Sequence, residues 1–286
     1  MIRQKLRVVL PKGRIFENVK TLLHEAGIYL HMNGREYRPA VNDGEIEIKI
    51  MKPQNIPKLV EFGSHHVGFT GHDWVVETGA NVVELLDLGF DPVKIVAAAP
   101  HDLMDTDGGK KKIVVASEYA TISRIYLDSQ PYEYVFLRTY GATEVFPPDD
   151  ADMIIDNMAT GRTLKKHGLS VISTILESST RFICNAEVLE DPWKKQKIHE
   201  MKMLFQSILQ ARDRVMLEMN IPSAHFDRII KELPCMKSPT VAPLYGDQGV
   251  AVKIAVKKTE VTKLLPRLKQ LGATDILEYN LQKVVV

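Results

Sequence analysis

Met153-Ile154-Ile155-Asp156-Asn157-Met158-Ala159-Thr160-Gly161-Arg162-Thr163-Leu164 passes from apolar residues to an acid, then to a small-residue turn. A polar, helix-compatible segment follows and ends at Gly168. That order predicts a buried strand, a tight turn and a helix start. In such a turn the backbone N–H groups of Thr160 to Thr163 converge at the positive end of a helix, a place that suits a phosphate. Asp156, four residues before Thr160, falls at the strand end, where a carboxylate accepts hydrogen bonds from sugar hydroxyls. An ordinary strand–turn–helix corner has the same outline, because Thr-Gly is common in turns.

The segments on either side follow an alternating plan. Leu6–Leu10 reads as a strand, Pro11-Lys12-Gly13-Arg14 as a turn opening a helix through Ala26, and Glu45–Met51 as an alternating strand. Asn55–Phe62 reads as a short helix, Val67–Gly71 as a strand, and a helix begins near Asp73. A second set starts at Lys94–Ala98 and continues through Ile113–Ala116, a helix near Ile122–Leu127, Tyr134–Leu137 and the Met153 strand. Ser170–Ile175 and Arg181–Asn185 read as further strands, before a long charged helix from Pro192 to about Arg212. Strands alternating with helices predict an α/β fold with a largely parallel sheet. The tail differs. Val215–Ile221, Ala224–Leu233, Ser238–Leu244, Val250–Val256, Glu260–Leu271 and Asp275–Asn280 spell βαββαβ, the ferredoxin-like order.

Composition narrows the classes of function. The chain has 286 residues, a formal charge of +1 and 45% apolar residues, figures typical of a globular protein of two or three domains. A near-neutral balance argues against nonspecific nucleic-acid binding. The Lys110-Lys111-Lys112 and Lys194-Lys195-Gln196-Lys197 clusters read as solvated faces. No window approaches the roughly 18 apolar residues of a membrane span, and the start lacks a signal-peptide core, so the expected location is the cytoplasm. Cys184 and Cys235 are expected to be reduced, buried thiols. Asp105-Thr106-Asp107-Gly108 opens like a calcium loop but has Ala116 where the last ligand belongs, so it reads as a turn. His65-His66 has neither HExxH spacing nor cysteine partners to suggest a metal.

Three glycine-rich strand ends add weight to a ligand-binding reading. Pro11-Lys12-Gly13-Arg14 puts two cations past the first strand, where open α/β sheets bind ligands. Arg14 is suited to clamping a phosphate and Lys12 to serving as a point charge. Gly68-Phe69-Thr70-Gly71-His72-Asp73 is the second, with a positive φ at Gly71 as the plainer reason for that glycine. Gly141-Ala142-Thr143-Glu144 is the third.

With these motifs in order, the chain resembles the long form of the ATP phosphoribosyltransferase family, which opens histidine biosynthesis. The resemblance runs from Leu10–Arg14 through Gly68–Trp74, Gly141–Glu144 and Asp156–Leu164 to Leu176–Asn185 and the Met236–Leu244 tail signature. Lys52 and Asn55 stand where the family usually has arginine and aspartate, and Asn157 replaces a common leucine. Ile155 occupies the first acid position of the wider phosphoribosyltransferase signature, and Pro147-Pro148-Asp149-Asp150 is more acidic than usual.

The resemblance implies two α/β domains around a cleft, like a periplasmic binding protein, plus the ferredoxin-like domain. Their boundaries would be 1–98 with 182–208, then 99–181, then 212–286. It implies transfer of the phosphoribosyl group of phosphoribosyl pyrophosphate to N1 of ATP, with Mg²⁺ on the pyrophosphate. Asp156, Asn157, Met158, Ala159, Thr160, Gly161, Arg162, Thr163 and Leu164 would hold phosphoribosyl pyrophosphate; Lys12, Gly13, Arg14, Gly71 and Asp73 would hold ATP. Asp156, Glu144 and Arg14 would be catalytic, with Glu144 and Asp156 as metal ligands. Ser238, Thr240 and Ala273 would bind histidine as inhibitor, on a homodimer that assembles into a homohexamer. Competing readings are a two-lobed cytoplasmic small-molecule binding protein and a phosphoribosyltransferase for another base.

Overall fold

Residues 4–32, 34, 36–101, 112–234, 236, 238–246 and 248–285 are described by the structure, a computed structural model. The Asp105–Gly108 turn, Lys110, Lys111 and Cys235 lie outside the described residues. By its contacts the chain divides into Met1–His199 and Glu200–Val286.

Among the described residues the first unit holds two five-stranded sheets and a two-stranded pair. In the first sheet the order is Ile46–Met51, Leu6–Pro11, Val67–Gly71, Thr180–Cys184, Val83–Asp87. Val8, Val9 and Leu10 are fully buried, which marks an inner strand covered on both faces. The helix Arg14–Glu25 presents Val19, Leu22 and Leu23 inward and begins after Gly13, whose φ of 87° is available to glycine at no cost. In the second sheet the order is Leu169–Ser178, Val93–Pro100, Met153–Met158, Lys112–Ser117, Glu133–Arg138. The chain passes from the first sheet to the second between Asp87 and Val93 and returns between Ser178 and Thr180. This is the two-halved α/β plan.

The expectation of a largely parallel sheet is corrected. In each five-stranded sheet two of the pairings are parallel and two antiparallel. The physical reason lies in the crossings. The chain leaves the second sheet at Ser178 and re-enters the first at its Gly71 end, so Thr180–Cys184 runs back against Val67–Gly71, with Thr180 opposite Gly71 and Cys184 opposite Val67. The Val83–Asp87 strand and the short Leu30–His31 and Ala40–Val41 pair were also not read from the sequence.

At the end of the first sheet away from Gly71, His66 is buried and accepts the Arg7 backbone N–H at Nδ1, 3.0 Å away. Burial, then the charge of Arg7, lowers its pKa to about 4, with Lys194 and His65 acting in the same direction and Asp191 opposing. The folded value lies below the ordinary 6.5, so the folded state binds the proton less well than the unfolded one. Its contribution is complete above pH 6.5 and disappears as pH falls toward 4. Thermal unfolding should therefore lose on the order of 2 kcal/mol between pH 7 and pH 4.5 from this residue. His66→Gln should flatten that part of the pH–stability curve; an unchanged slope would refute the assignment.

Glu200–Val286 contains a four-stranded antiparallel sheet in the order Thr240–Pro243, Val250–Lys257, Arg214–Ile221, Thr274–Asn280. This is the ferredoxin-like arrangement expected. Val215, Leu217, Met219 and Ile221 alternate inward from the Arg214–Ile221 strand onto Val261, Leu264, Leu268 and Leu271 of the helix Lys258–Leu271. The expected Ala224–Leu233 helix is shorter, a 3₁₀ turn at Ser223–His225 followed by Phe226–Ile230. Ser238 precedes the Thr240–Pro243 strand rather than lying in it. Among the described residues no helix is long and apolar enough to cross a membrane.

Candidate active site

The Met153–Met158 strand carries Asp156 to the mouth of the second sheet, and the turn reaches the helix Arg162–Lys166 through Gly161 at φ 72°. Leu164 is buried and anchors the helix, whereas Thr160, Arg162 and Thr163 are exposed. The first-turn N–H groups have no partners within the helix. With five residues the helix has a small dipole, so these amides rather than the dipole supply the attraction for an anion.

Asp156 Oδ1 accepts from the Asn157 backbone N–H at 2.7 Å and from its Nδ2 at 3.2 Å. Burial pushes the Asp156 carboxyl up to about 6; the Asn157 amide opposes this, and Glu144 and Glu118 add to it. Three acids thus bear on one point. Among the described residues no three carboxylates, imidazoles or thiols close into a metal cage. Carboxylate oxygens whose charges bear on Asp156 suit a divalent cation brought in with substrate phosphates.

A cavity of about 380 Å³ brings together groups far apart in the chain. Lys12, Arg14 and Gly71 line it from the first sheet, Glu118, Tyr119 and Asn157 from the second, and Ser178–Thr180 from the return crossing. Arg14 is steered by Asp91, 3.8 Å away, and Lys12 lies 5.7 Å from the centre of the Tyr37 ring. Asp73 also lines this cavity, but its side chain is already committed. Ser178 Oγ donates to Oδ1 at 2.6 Å and Tyr119 Oη to Oδ2 at 2.8 Å. Burial, and next the Asp73 charge, raise the Tyr119 phenol far above its ordinary range, so it remains a donor.

Gly71 owes its place to this network. Its φ is −73°, not positive as expected, but an added Cβ would stand 2.1 Å from Asp73 Oδ1. The glycine makes room for a carboxylate.

A second cavity, of about 590 Å³, shares Gln54, Trp74 and Glu118 with the first and adds Lys52, Lys58, Arg124 and Arg138. Sequence reading overlooked Arg124 and Arg138 because isolated cations in a helix and a strand carry no motif. Gln54 Oε1 is buried there without a hydrogen-bond partner. Glu144 lies in a 3₁₀ turn, Thr143–Val145, after the left-handed Ala142; it reaches Asp156 through its charge.

In the C-terminal unit the expected histidine ligands do not come together. Thr240 is on one edge strand, and Ala273 adjoins the opposite one, roughly 14 Å away at about 4.8 Å per strand spacing. Ala273 is buried, and its N–H caps the helix by donating to Leu268 O at 3.0 Å. Gly272 N–H similarly donates to Lys269 O at 3.1 Å, leaving carbonyls rather than donors at this turn.

The ATP phosphoribosyltransferase family matches residues 52–207, and its C-terminal domain matches residues 211–283. The chain belongs to the ATP phosphoribosyltransferase family. It is 39% identical over 291 residues to the ATP phosphoribosyltransferase of Pelotomaculum thermopropionicum, covering 98% of this chain and 99% of that one. With the Chlorobium phaeovibrioides ATP phosphoribosyltransferase the identity is 37% over 290 residues, covering 98% and 97%. Among solved structures, a chain of the ATP phosphoribosyl transferase (HisG:HisZ) complex from Thermotoga maritima superposes with a TM-score of 0.62 at 21% identity. That likeness covers 70% of this chain and 98% of the other and speaks to the fold alone. The enzyme is a pentosyltransferase that catalyses the first step of histidine biosynthesis, phosphoribosyl transfer to ATP.

Proposed function

We propose that the cleft between the two sheets is where the enzyme joins its two substrates, with the turn after Asp156 as the phosphoribosyl pyrophosphate site. The observation that carries this is the convergence of the Lys12–Arg14 turn, the Gly71 strand end and Asn157 on one cavity. The amides of Thr160, Gly161, Arg162 and Thr163 take the 5′-phosphate, and Asp156 takes the ribose hydroxyls. Leu164 seats the loop, while Asn157, Met158 and Ala159 shape its approach. Mg²⁺, held by Glu144 and Asp156 with pyrophosphate oxygens, would neutralise charge on the leaving group.

Lys12, Gly13 and Arg14 face ATP across the cavity. The Lys52, Arg124 and Arg138 pocket suits its triphosphate, and Gln54, which borders both cavities, is the residue we assign to the adenine. Asp73 acts by holding the cavity wall, since its oxygens are already bonded. Adenine N1 attacks the anomeric carbon as pyrophosphate departs. Positive charge builds on the ribose ring, so orientation and the carboxylates around Asp156 matter most. N1 is nucleophilic without a general base. Pyrophosphate release from phosphoribosyl pyrophosphate, compared across ATP, other nucleotides and free bases, tests this reading. Release with ATP alone supports it; equal release with another base overturns the Gln54 assignment.

The C-terminal unit is the regulatory part of this proposal, and the enzyme works in the cytoplasm as a homodimer that assembles to a homohexamer. Ser238, Thr240 and the Ala273 turn receive histidine, and their separation means that one ligand touching both edges bridges two chains. Millimolar histidine should inhibit the full-length enzyme with a coupling of about 1–3 kcal/mol. Thr240→Val should weaken that inhibition while sparing uninhibited turnover. Calorimetry showing no histidine binding would sink the regulatory assignment.

A further inference from the structure

Glu77 belongs to the helix His72–Thr78, which follows the inner Val67–Gly71 strand of the first sheet. It is 8% exposed, a position where a carboxylate survives only with its oxygens fully bonded. Its partners are on the other half of the first unit. Oε1 accepts the Ala120 N–H at 2.7 Å, Oε2 accepts that of Ile122 at 3.0 Å, and both accept that of Thr121, at 3.2 and 2.9 Å. These are the opening amides of the helix Ala120–Leu127, beside the second sheet. That helix has Tyr119 at its N-cap and no side-chain cap of its own. A carboxylate more than forty residues away in sequence supplies the missing cap. Trp74, one turn before Glu77, stacks on Tyr119 with ring centres 4.6 Å apart, so the same two helices meet twice.

The turn that Glu77 grips carries much of the cleft wall. Glu118 lines both cavities, Tyr119 holds Asp73, and Thr121 and Arg124 face the basic pocket. We propose that Glu77 is a positioning residue that, by capping Ala120–Leu127 from across the cleft, sets the distance between the Lys12–Arg14 wall and the Asp156 wall. This rests on the assignment of the cleft to ATP and phosphoribosyl pyrophosphate. Glu77 borders the second cavity, but both of its oxygens are taken by the three amides, so it acts on substrates through the helix it holds. It holds the second half in the position in which both are reached together, so its loss weakens substrate capture more than the chemical step.

The test uses the full chain with Glu77→Gln, which turns an amide NH₂ toward the backbone donors, and Glu77→Asp, which keeps the charge one methylene short. Hydrogen exchange reads the cap without reference to activity, and steady-state kinetics reads its consequence. In Glu77→Gln, exchange at Ala120, Thr121 and Ile122 should rise at least about tenfold while the Leu6–Pro11 strand stays protected. KM for both substrates should rise about tenfold, with kcat within about threefold of the parent. Glu77→Asp should recover part of the KM loss. The proposal is overturned if KM stays at the parental value in both variants, or if both lose protection across the whole unit, which makes Glu77 a residue of general stability. An error in the cleft assignment has a different signature. Lys12→Ala would then leave KM for ATP unchanged while the exchange at Ala120–Ile122 still responded to Glu77.

Discussion

Asp156→Asn should lower kcat/KM for phosphoribosyl pyrophosphate by about 10–150-fold, the rate equivalent of a charge-assisted hydrogen bond worth about 1.5–3 kcal/mol. The melting temperature should hold or rise. The ionised carboxylate is an expense to the fold, because burial and the nearby Glu144 and Glu118 push its pKa up to about 6. A carboxylate with a raised folded-state pKa loses stability as pH rises from its ordinary value of 3.8 and carries the full penalty above about 6, and an amide removes the charge. Asparagine retains an oxygen to accept the Asn157 N–H, so the strand end keeps its local bond. Lower activity in a protein at least as stable is the mark of a group kept for chemistry. Steady-state kinetics with a melting curve measures both, and near-parental kcat/KM would remove Asp156 from the site.

Gly161→Val should weaken phosphoribosyl pyrophosphate binding by about 30-fold or more. Gly161 sits at φ 72°, and an added Cβ would lie 3.2 Å from Met158 Sδ. A β-branched residue in the left-handed region costs about 2 kcal/mol or more. The exposed loop relieves that strain by leaving the conformation in which its amides converge. Leu164 remains buried on the far side, so the loss should be local. Titration calorimetry with phosphoribosyl pyrophosphate is the measurement. Gly161→Ala should show a smaller loss with the same sign, and parental affinity in both variants would mean that the turn does not bind the phosphate.

Most elements were legible because each rests on a short-range pattern. Val215, Leu217, Met219 and Ile221 alternate, and they form a half-buried strand. Val261, Leu264, Leu268 and Leu271 recur at helical spacing and face the core, with Gly272 in the left-handed cap at the end. The strand, turn and helix around Asp156 were readable for the same reason. Arg124 and Arg138 were not, since a lone cation on a helix or strand has the same local appearance whether it faces solvent or a cavity. Glu77 likewise resembles any surface glutamate near the end of a short helix.

The residue order of this chain is enough to specify most of its helices and strands, the tight turn after Asp156 and the family to which it belongs. Those features follow from torsional preference and side-chain alternation over a few neighbours. Folding alone settled the antiparallel return at Thr180, the use of Asp73 as a bonded wall group and the room that Gly71 makes for it. It also settled the capping of one half by Glu77 of the other. Ser178 meets Asp73 across 105 positions and Glu77 meets Ala120 across 43. Over such separations the choice of partner depends on sheet order and register, which long-range burial selects and which a local pattern does not encode.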